Sequence, residues 1–208
     1  MDSDLVGVGE AAQILGMSRT SLQKLVDGGH LAAIKTAGGH RRISRESLRA
    51  LGEKMGLGAV RTVAASRAAP APVLAKESPA NGKFTVLLVE DDEVQIALVT
   101  TLVQRHFPQI VLQVARDGLD AVLQLERIRP HLIITDLKME PFDGFRLLQL
   151  IHSKPEYAGM ALLVMSSLSA KEIDKRGGLP AGVVFYRKPL NAERLTGYLD
   201  AHVQLHRP

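Results

Sequence analysis

The stretch Leu132-Ile133-Ile134-Thr135-Asp136-Leu137-Lys138-Met139, with Asp143-Gly144 coming seven residues after Asp136, decides how the C-terminal part of this chain is read. A short apolar run, rich in β-branched residues and without polar alternation, fits a strand buried on both faces of a parallel sheet. It ends abruptly in the carboxylate of Asp136. Open α/β sheets place their ligands at the carboxyl ends of their strands. Taken alone, such an Asp reads equally well as a helix cap or a loop acid. The choice depends on what other segments deliver to the same place.

From Lys83 onward the chain alternates strand-like and helix-like segments. Strands are predicted at about 84–89, 110–115, 131–135, 160–165 and 182–186, and helices at about 92–105, 117–128, 143–152, 169–175 and 191–204. Such an alternation makes an α/β domain with a doubly wound five-stranded parallel sheet. The first strand ends in Glu90-Asp91-Asp92, the third in Asp136, the fourth in Ser166-Ser167 and the fifth in Lys188-Pro189. Strand ends of a parallel sheet are neighbours, so three carboxylates, a hydroxyl and an ammonium are expected in one crevice. Clustered carboxylates repel and hold protons unless a cation compensates them. An all-oxygen donor set suits a hard cation such as Mg²⁺. A carboxylate can itself attack a phosphoryl group. The transfer then needs mainly positioning and charge neutralisation, which Lys188 and Ser166 are placed to supply. No His or Cys is expected in the crevice, which argues against hydrolytic nucleophile chemistry. No glycine-rich turn follows the first strand, which argues against a nucleotide site.

These residues resemble the receiver domain of two-component response regulators. The resemblance rests on Leu87-Leu88-Val89-Glu90-Asp91-Asp92, Ile134-Thr135-Asp136-Leu137-Lys138-Met139 with Asp143-Gly144, Val164-Met165-Ser166-Ser167 and Phe185-Tyr186-Arg187-Lys188-Pro189. It implies a flavodoxin-like fold and a phosphoacceptor, Asp136, served by a sensor histidine kinase. It also implies Mg²⁺ held by Glu90, Asp91, Asp136 and the backbone carbonyl of Lys138. Ser166 and Phe185 become the switch pair, and Lys188 the phosphate contact, with a cis bond to Pro189. Two departures stand out. Proline comes one place late, in Met139-Glu140-Pro141, and the aromatic switch position holds Phe185 rather than Tyr. On this resemblance the chain is a regulator that at most accepts phosphate and removes it again.

The first 55 residues read differently. Val8 to Gly16 suggests a short helix with Ala11, Ile14 and Leu15 inward, stopped at Gly16. Ser18 is placed to cap a second helix, Arg19 to Asp27, with Leu22, Leu25 and Val26 inward. A strand at 31–36, a glycine turn at 37–40 and a return strand at 41–44 would form a hairpin, and Ser44 would cap a third helix. Ala11 to Leu22, Gly29-His30-Leu31 and Thr36-Ala37-Gly38-Gly39-His40-Arg41-Arg42-Ile43-Ser44 look like the winged helix-turn-helix of MerR and excisionase-type DNA-binding proteins. That resemblance implies that Ser18, Arg19, Thr20, Ser21, Gln23 and Lys24 face the major groove. His40, Arg41 and Arg42 would then hold the wing against double-stranded DNA.

Charge supports two modules. Residues 1–82 carry 11 Lys+Arg and 7 Asp+Glu, whereas residues 83–208 carry 15 of each. Residues 56–82, rich in alanine with Pro70, Pro72 and Pro79, read as a flexible tether spanning roughly 30 Å. The expected organisation is therefore 1–55 winged helix-turn-helix, 56–82 linker and 83–208 receiver. Cysteine is absent, which excludes disulfide and thiol chemistry. No leader or membrane span is read, so the expected location is the cytoplasm. The expected partners are a histidine kinase, duplex DNA and a second copy paired through the receiver. The alternative is an interaction adaptor whose N-terminal module binds protein. His202 and His206, four apart on the last helix, could clamp a metal but read more simply as a surface helix end.

Overall fold

The computed structural model describes residues 4–36, 38–55, 83–140 and 142–206, with the side chain of Ser21 outside that set. The chain divides into two compact units, Met1–Lys76 and Glu77–Pro208. The expected tether at 56–82 lies outside the described residues, as do Ala37 in the wing and the displaced Pro141.

In the first unit β1 (Leu5–Gly7), α1 (Val8–Ile14), α2 (Arg19–Asp27), β2 (Ala33–Lys35), β3 (Arg41–Ser44) and α3 (Arg45–Lys54) follow in order. The sheet is antiparallel with order β1-β3-β2. β1 was not foreseen; it gives the hairpin a third strand and pairs Val6 with the fully buried Ile43. Helix α1 ends two residues earlier than expected, and Ala12 rather than Ile14 joins Ala11 and Leu15 in the core. Gly16 follows with φ +62, a backbone state that glycine takes without steric cost. The wing tip closes on itself: Thr36 N–H donates to the His40 carbonyl at 2.9 Å, and Gly39 N–H to the Thr36 carbonyl at 2.8 Å. Ser44 caps α3 by accepting from Ser47 N–H at 3.4 Å.

The second unit runs β4 (Thr85–Val89), α4 (Glu93–His106), β5 (Val111–Ala115), α5 (Gly118–Ile128), β6 (Leu132–Thr135), α6 (Gly144–Ser153), β7 (Ala161–Ser166), α7 (Ala170–Lys175), β8 (Val184–Arg187) and α8 (Ala192–Leu205). A 3-10 turn at Pro155–Tyr157 was not foreseen. The sheet is parallel throughout, in the order β5-β4-β6-β7-β8. Strands β4 and β6 are buried along their whole length, which is why they read as unbroken apolar runs. On one face Val86, Leu88 and Ile134 pack with Val99 and Val103 of α4 and Leu195 and Leu199 of α8. On the other, Leu137 and Val164 pack with Phe145, Leu148 and Ile173. Asp92, Asp117, Asp143, Ser169 and Asn191 each accept a backbone N–H at the start of the following helix. Strand order reverses between β4 and β6, and that junction is where such sheets open a crevice.

Candidate functional site

Glu90 and Asp136 follow directly from β4 and β6, so they stand side by side at this junction. Both are buried. The Asp136 carboxylate is fixed on three sides. Its Oδ1 accepts from Leu137 N–H at 2.5 Å and Lys138 N–H at 3.2 Å, and its Oδ2 from Lys188 Nζ at 2.8 Å. Lys188 Nζ also donates to Glu90 Oε2 at 2.7 Å. The lysine is delivered by the turn after β8, where Lys188 N–H donates to the Ser166 carbonyl at 3.0 Å. The Lys188–Pro189 bond is cis, as the family resemblance implied.

One ammonium thus serves two carboxylates, and the electrostatics follow. Burial pulls the Lys188 ammonium down, but its bonds to Asp136 and Glu90 outweigh that and hold it above its ordinary value. Burial raises the Glu90 carboxyl, and its share of Lys188 does not restore it. The Asp136 charge pushes Glu90 further the same way.

Ser166, at the end of β7, is fully buried, and its Oγ has no hydrogen-bond partner among the described residues. A buried hydroxyl without a partner loses the hydration it had in the unfolded chain. Phe185 is half-buried against the cluster around Leu137, Phe145 and Val164, while Tyr186 lies on the opposite face with Tyr198.

The expected group of three carboxylates is not assembled. Among the described residues no three acidic or imidazole side chains converge as a metal cage. Asp91 is exposed, and Lys188 instead bridges the buried pair. The donor set still fits Mg²⁺, which keeps several waters and needs only one or two carboxylates. Glu90, Asp91 and Asp136 against Lys188 leave a formal charge of −2, from three minus charges and one plus, and every donor is an oxygen. Among the described residues His202 and His206 belong to no group of three metal-ligating side chains. His206 Nδ1 lies 2.9 Å from the His202 carbonyl, and its ring packs against His131 and Phe84.

Two glycines set the loop that carries Lys138, and the sequence reading gave neither this role. Gly118 N–H donates to the Phe142 carbonyl at 3.0 Å, and a Cβ on Gly118 would meet that same carbonyl. A Cβ on Gly144 would fall onto the Asp136 carbonyl oxygen. Side-chain-free positions next to a motif carboxylate are the available sequence signal.

In the first unit Ser18, Arg19, Thr20, Gln23 and Lys24 are exposed along α2, and His40 and Arg42 are exposed on the wing. Arg41 differs: its Nη1 lies 2.6 Å from Asp27 Oδ1, at the end of α2. Lys35, which sequence reading passed over, is exposed beside Arg41 in the strand register. Arg19, Lys24, Lys35 and Arg42 make no ion pair among the described residues.

Comparison with known proteins gives two family matches: the response regulator receiver domain over residues 86–200 and a helix-turn-helix domain over residues 5–55. A gliding motility regulatory protein of Myxococcus xanthus is 34% identical over 126 residues, 60% of this chain and 16% of that protein. A protein-glutamate methylesterase/protein-glutamine glutaminase of Geobacter sulfurreducens is 30% identical over 124 residues, 58% of this chain and 32% of that protein. The chain therefore spans less than a third of the length of either relative. Among solved structures, the signal receiver domain of a DNA-binding response regulator (merR) from Colwellia psychrerythraea is similar. Its TM-score is 0.53 at 27% identity, covering 58% of this chain and 98% of that one. Among the described residues no helix is long and apolar enough to cross a membrane.

Proposed function

We propose, from the premise that this chain belongs to the response regulator receiver family, that Asp136 is its phosphoacceptor and that phosphorylation controls DNA binding by the N-terminal helix-turn-helix. The observation that carries the reading is the Glu90–Lys188–Asp136 triangle with the partnerless Ser166 hydroxyl beside it.

A sensor histidine kinase is the proposed donor. A carboxylate oxygen of Asp136 attacks the phosphorus of the phosphohistidine. The O–P bond forms as the P–N bond breaks, and the leaving imidazole nitrogen takes up a proton. Backbone N–H groups of Leu137 and Lys138 already orient the carboxylate. Lys188 neutralises charge on the phosphoryl oxygens, and Ser166 Oγ–H donates to one of them. Glu90, Asp91, Asp136 and the Lys138 carbonyl are the residues that would hold Mg²⁺; when bound, the ion supplies two positive charges to a site that otherwise carries net negative charge. As Ser166 turns to the phosphoryl group, Phe185 moves within the cluster it half-fills, changing the β7–β8 face. Pairing of two receivers would then bring two DNA-binding modules together and raise their effective concentration.

For DNA, Ser18, Arg19, Thr20, Ser21, Gln23 and Lys24 are the proposed groove contacts of α2, with His40 and Arg42 on the wing. The exposure of Ser18, Arg19, Thr20, Gln23, Lys24, His40 and Arg42, the positive balance of residues 1–82 and the match to a DNA-binding response regulator's receiver domain support this. The reading is of a regulator and not a stand-alone enzyme, since the crevice holds groups for one phosphoryl exchange.

The test is incubation with a small acyl phosphate and Mg²⁺, followed by intact mass, with Asp136→Ala alongside. The parent should gain one phosphoryl group and the variant none; an unchanged parent mass removes the phosphoacceptor role. Duplex binding at several salt concentrations tests the second half, and its absence would leave the receiver as an interaction adaptor.

A further inference from the structure

Strands β2 and β3 alternate their side chains between two faces. Ile43 is fully buried under the helices, so Arg41, two residues before it, stands on the same face of β3. There its guanidinium reaches Asp27, the last residue of α2, at 2.6 Å. Arg42 stands on the other face, in register with Ile34 and Gly7, exposed and without an ion pair among the described residues. Adjacent arginines that look equivalent in the sequence therefore face opposite ways, and only Arg41 has its charge matched.

We propose that Asp27 and Arg41 are a positioning pair of the DNA-binding module. The pair fixes the wing to the end of α2, and Arg42, not Arg41, is the wing arginine that neutralises phosphate. This rests on the DNA-binding reading above. Two elements that meet a duplex at separate places must be held at a set separation, and this ion pair joins them across the short segment 28–32. An arginine already matched by a carboxylate displaces no phosphate counterion unless that bond breaks; an unmatched one does.

The test measures binding of the whole chain to a mixed-sequence duplex over a range of salt. Arg42→Ala should lower the slope of log K against log[salt] by about 0.9, the loss of one phosphate contact. Arg41→Ala should leave the slope at the parent value and weaken binding by no more than about fivefold, the reach of an exposed ion pair. The exchanged chain, Asp27→Arg with Arg41→Asp, rebuilds the pair with reversed polarity and should recover the parent affinity and slope. Equal slope losses for Arg41→Ala and Arg42→Ala overturn the proposal, as does an exchanged chain that binds as weakly as Arg41→Asp alone. Circular dichroism checks folding, and if Arg41→Ala does not fold, the exchanged chain decides. A parent that shows no salt-dependent binding removes the DNA-binding reading and this pair's role together; a parent whose slope depends on Arg41 removes only the latter.

Discussion

Gly144→Ala puts the geometry of the crevice under direct strain. Gly144 opens α6 directly behind Asp143, which caps the helix by accepting from Arg146 N–H at 2.9 Å. A Cβ there would overlap the Asp136 carbonyl oxygen, 2.9 Å from Leu137 Cα and 3.0 Å from Asp136 C. All three obstacles are backbone, so no side chain can swing aside. Relief requires α6 and the turn after β6 to part by about 1 Å, in the range where overpacking costs about 1–3 kcal/mol. Alanine gains up to about 1 kcal/mol over glycine in a helix interior and less at its first position, so a net loss near 2 kcal/mol remains. For a domain of this size that lowers Tm by roughly 6–10 °C. The same displacement moves the Leu137 and Lys138 amides that hold Asp136 Oδ1, and a shift of about 1 Å in a reacting group costs roughly a hundredfold in rate. The assays are thermal melting by circular dichroism and the time course of phosphorylation by intact mass. Gly197→Ala is the control: it lies in α8 with nothing near its would-be Cβ, and should be stabilising by up to about 1 kcal/mol. A Gly144→Ala chain that melts and phosphorylates like the parent would refute the packing argument.

Other substitutions separate stability from function. Glu90→Gln removes a fully buried carboxylate that burial and Asp136 both disfavour, while Lys188 keeps Asp136; it should raise stability by about 1 kcal/mol in chemical denaturation and suppress Mg²⁺-dependent phosphorylation. Ser166→Ala deletes a partnerless buried hydroxyl, so the unphosphorylated chain should be unchanged or stabilised by up to about 1 kcal/mol, whereas phosphorylation should no longer alter its size-exclusion profile. The pH dependence should come from His202, which burial and His206 lower, and from His131. Burial and then His206 lower His131 too, and its Nδ1 accepts from Thr85 N–H at 3.0 Å, which a protonated ring cannot do. Its folded value lies below the unfolded one, so its contribution is fully present above the unfolded value, near 6.5, and is lost as pH falls through the folded value. Melts between pH 7.5 and 5.5 should therefore show falling Tm, and His131→Asn should reduce that slope; an equal slope in the variant would exclude His131 as a source.

The parts of the molecule legible in the sequence were those whose cause is local. Uninterrupted runs such as Val86–Val89 and Leu132–Ile134 announce strands covered on both faces, and each hands its next carboxylate to the same rim. The wing was legible because Gly38-Gly39 marks a turn and Arg41–Ser44 a strand. What escaped depends on contacts across distance. β1 is three residues long, too short for any periodicity, and exists because β3 offers it an edge. That Arg41 turns to Asp27 while Arg42 does not follows from which face of β3 the buried Ile43 occupies. The motif glycines were visible, but their need to be glycine comes from Phe142 and Asp136 carbonyls that only folding brings alongside. Expecting three carboxylates together overlooked that Lys188 would itself settle between two of them.

That lysine has a thermodynamic consequence. Immobilising a lysine side chain gives up about 2 kcal/mol of rotamer freedom, and here the loss is incurred when the domain folds. The proposed phosphorylation of Asp136 would then exchange one anionic oxygen for another at an ammonium already in place. On the proposed function the reorganisation energy of phosphorylation would be correspondingly small, which would leave the free energy of the acyl phosphate to rearrange the β7–β8 face.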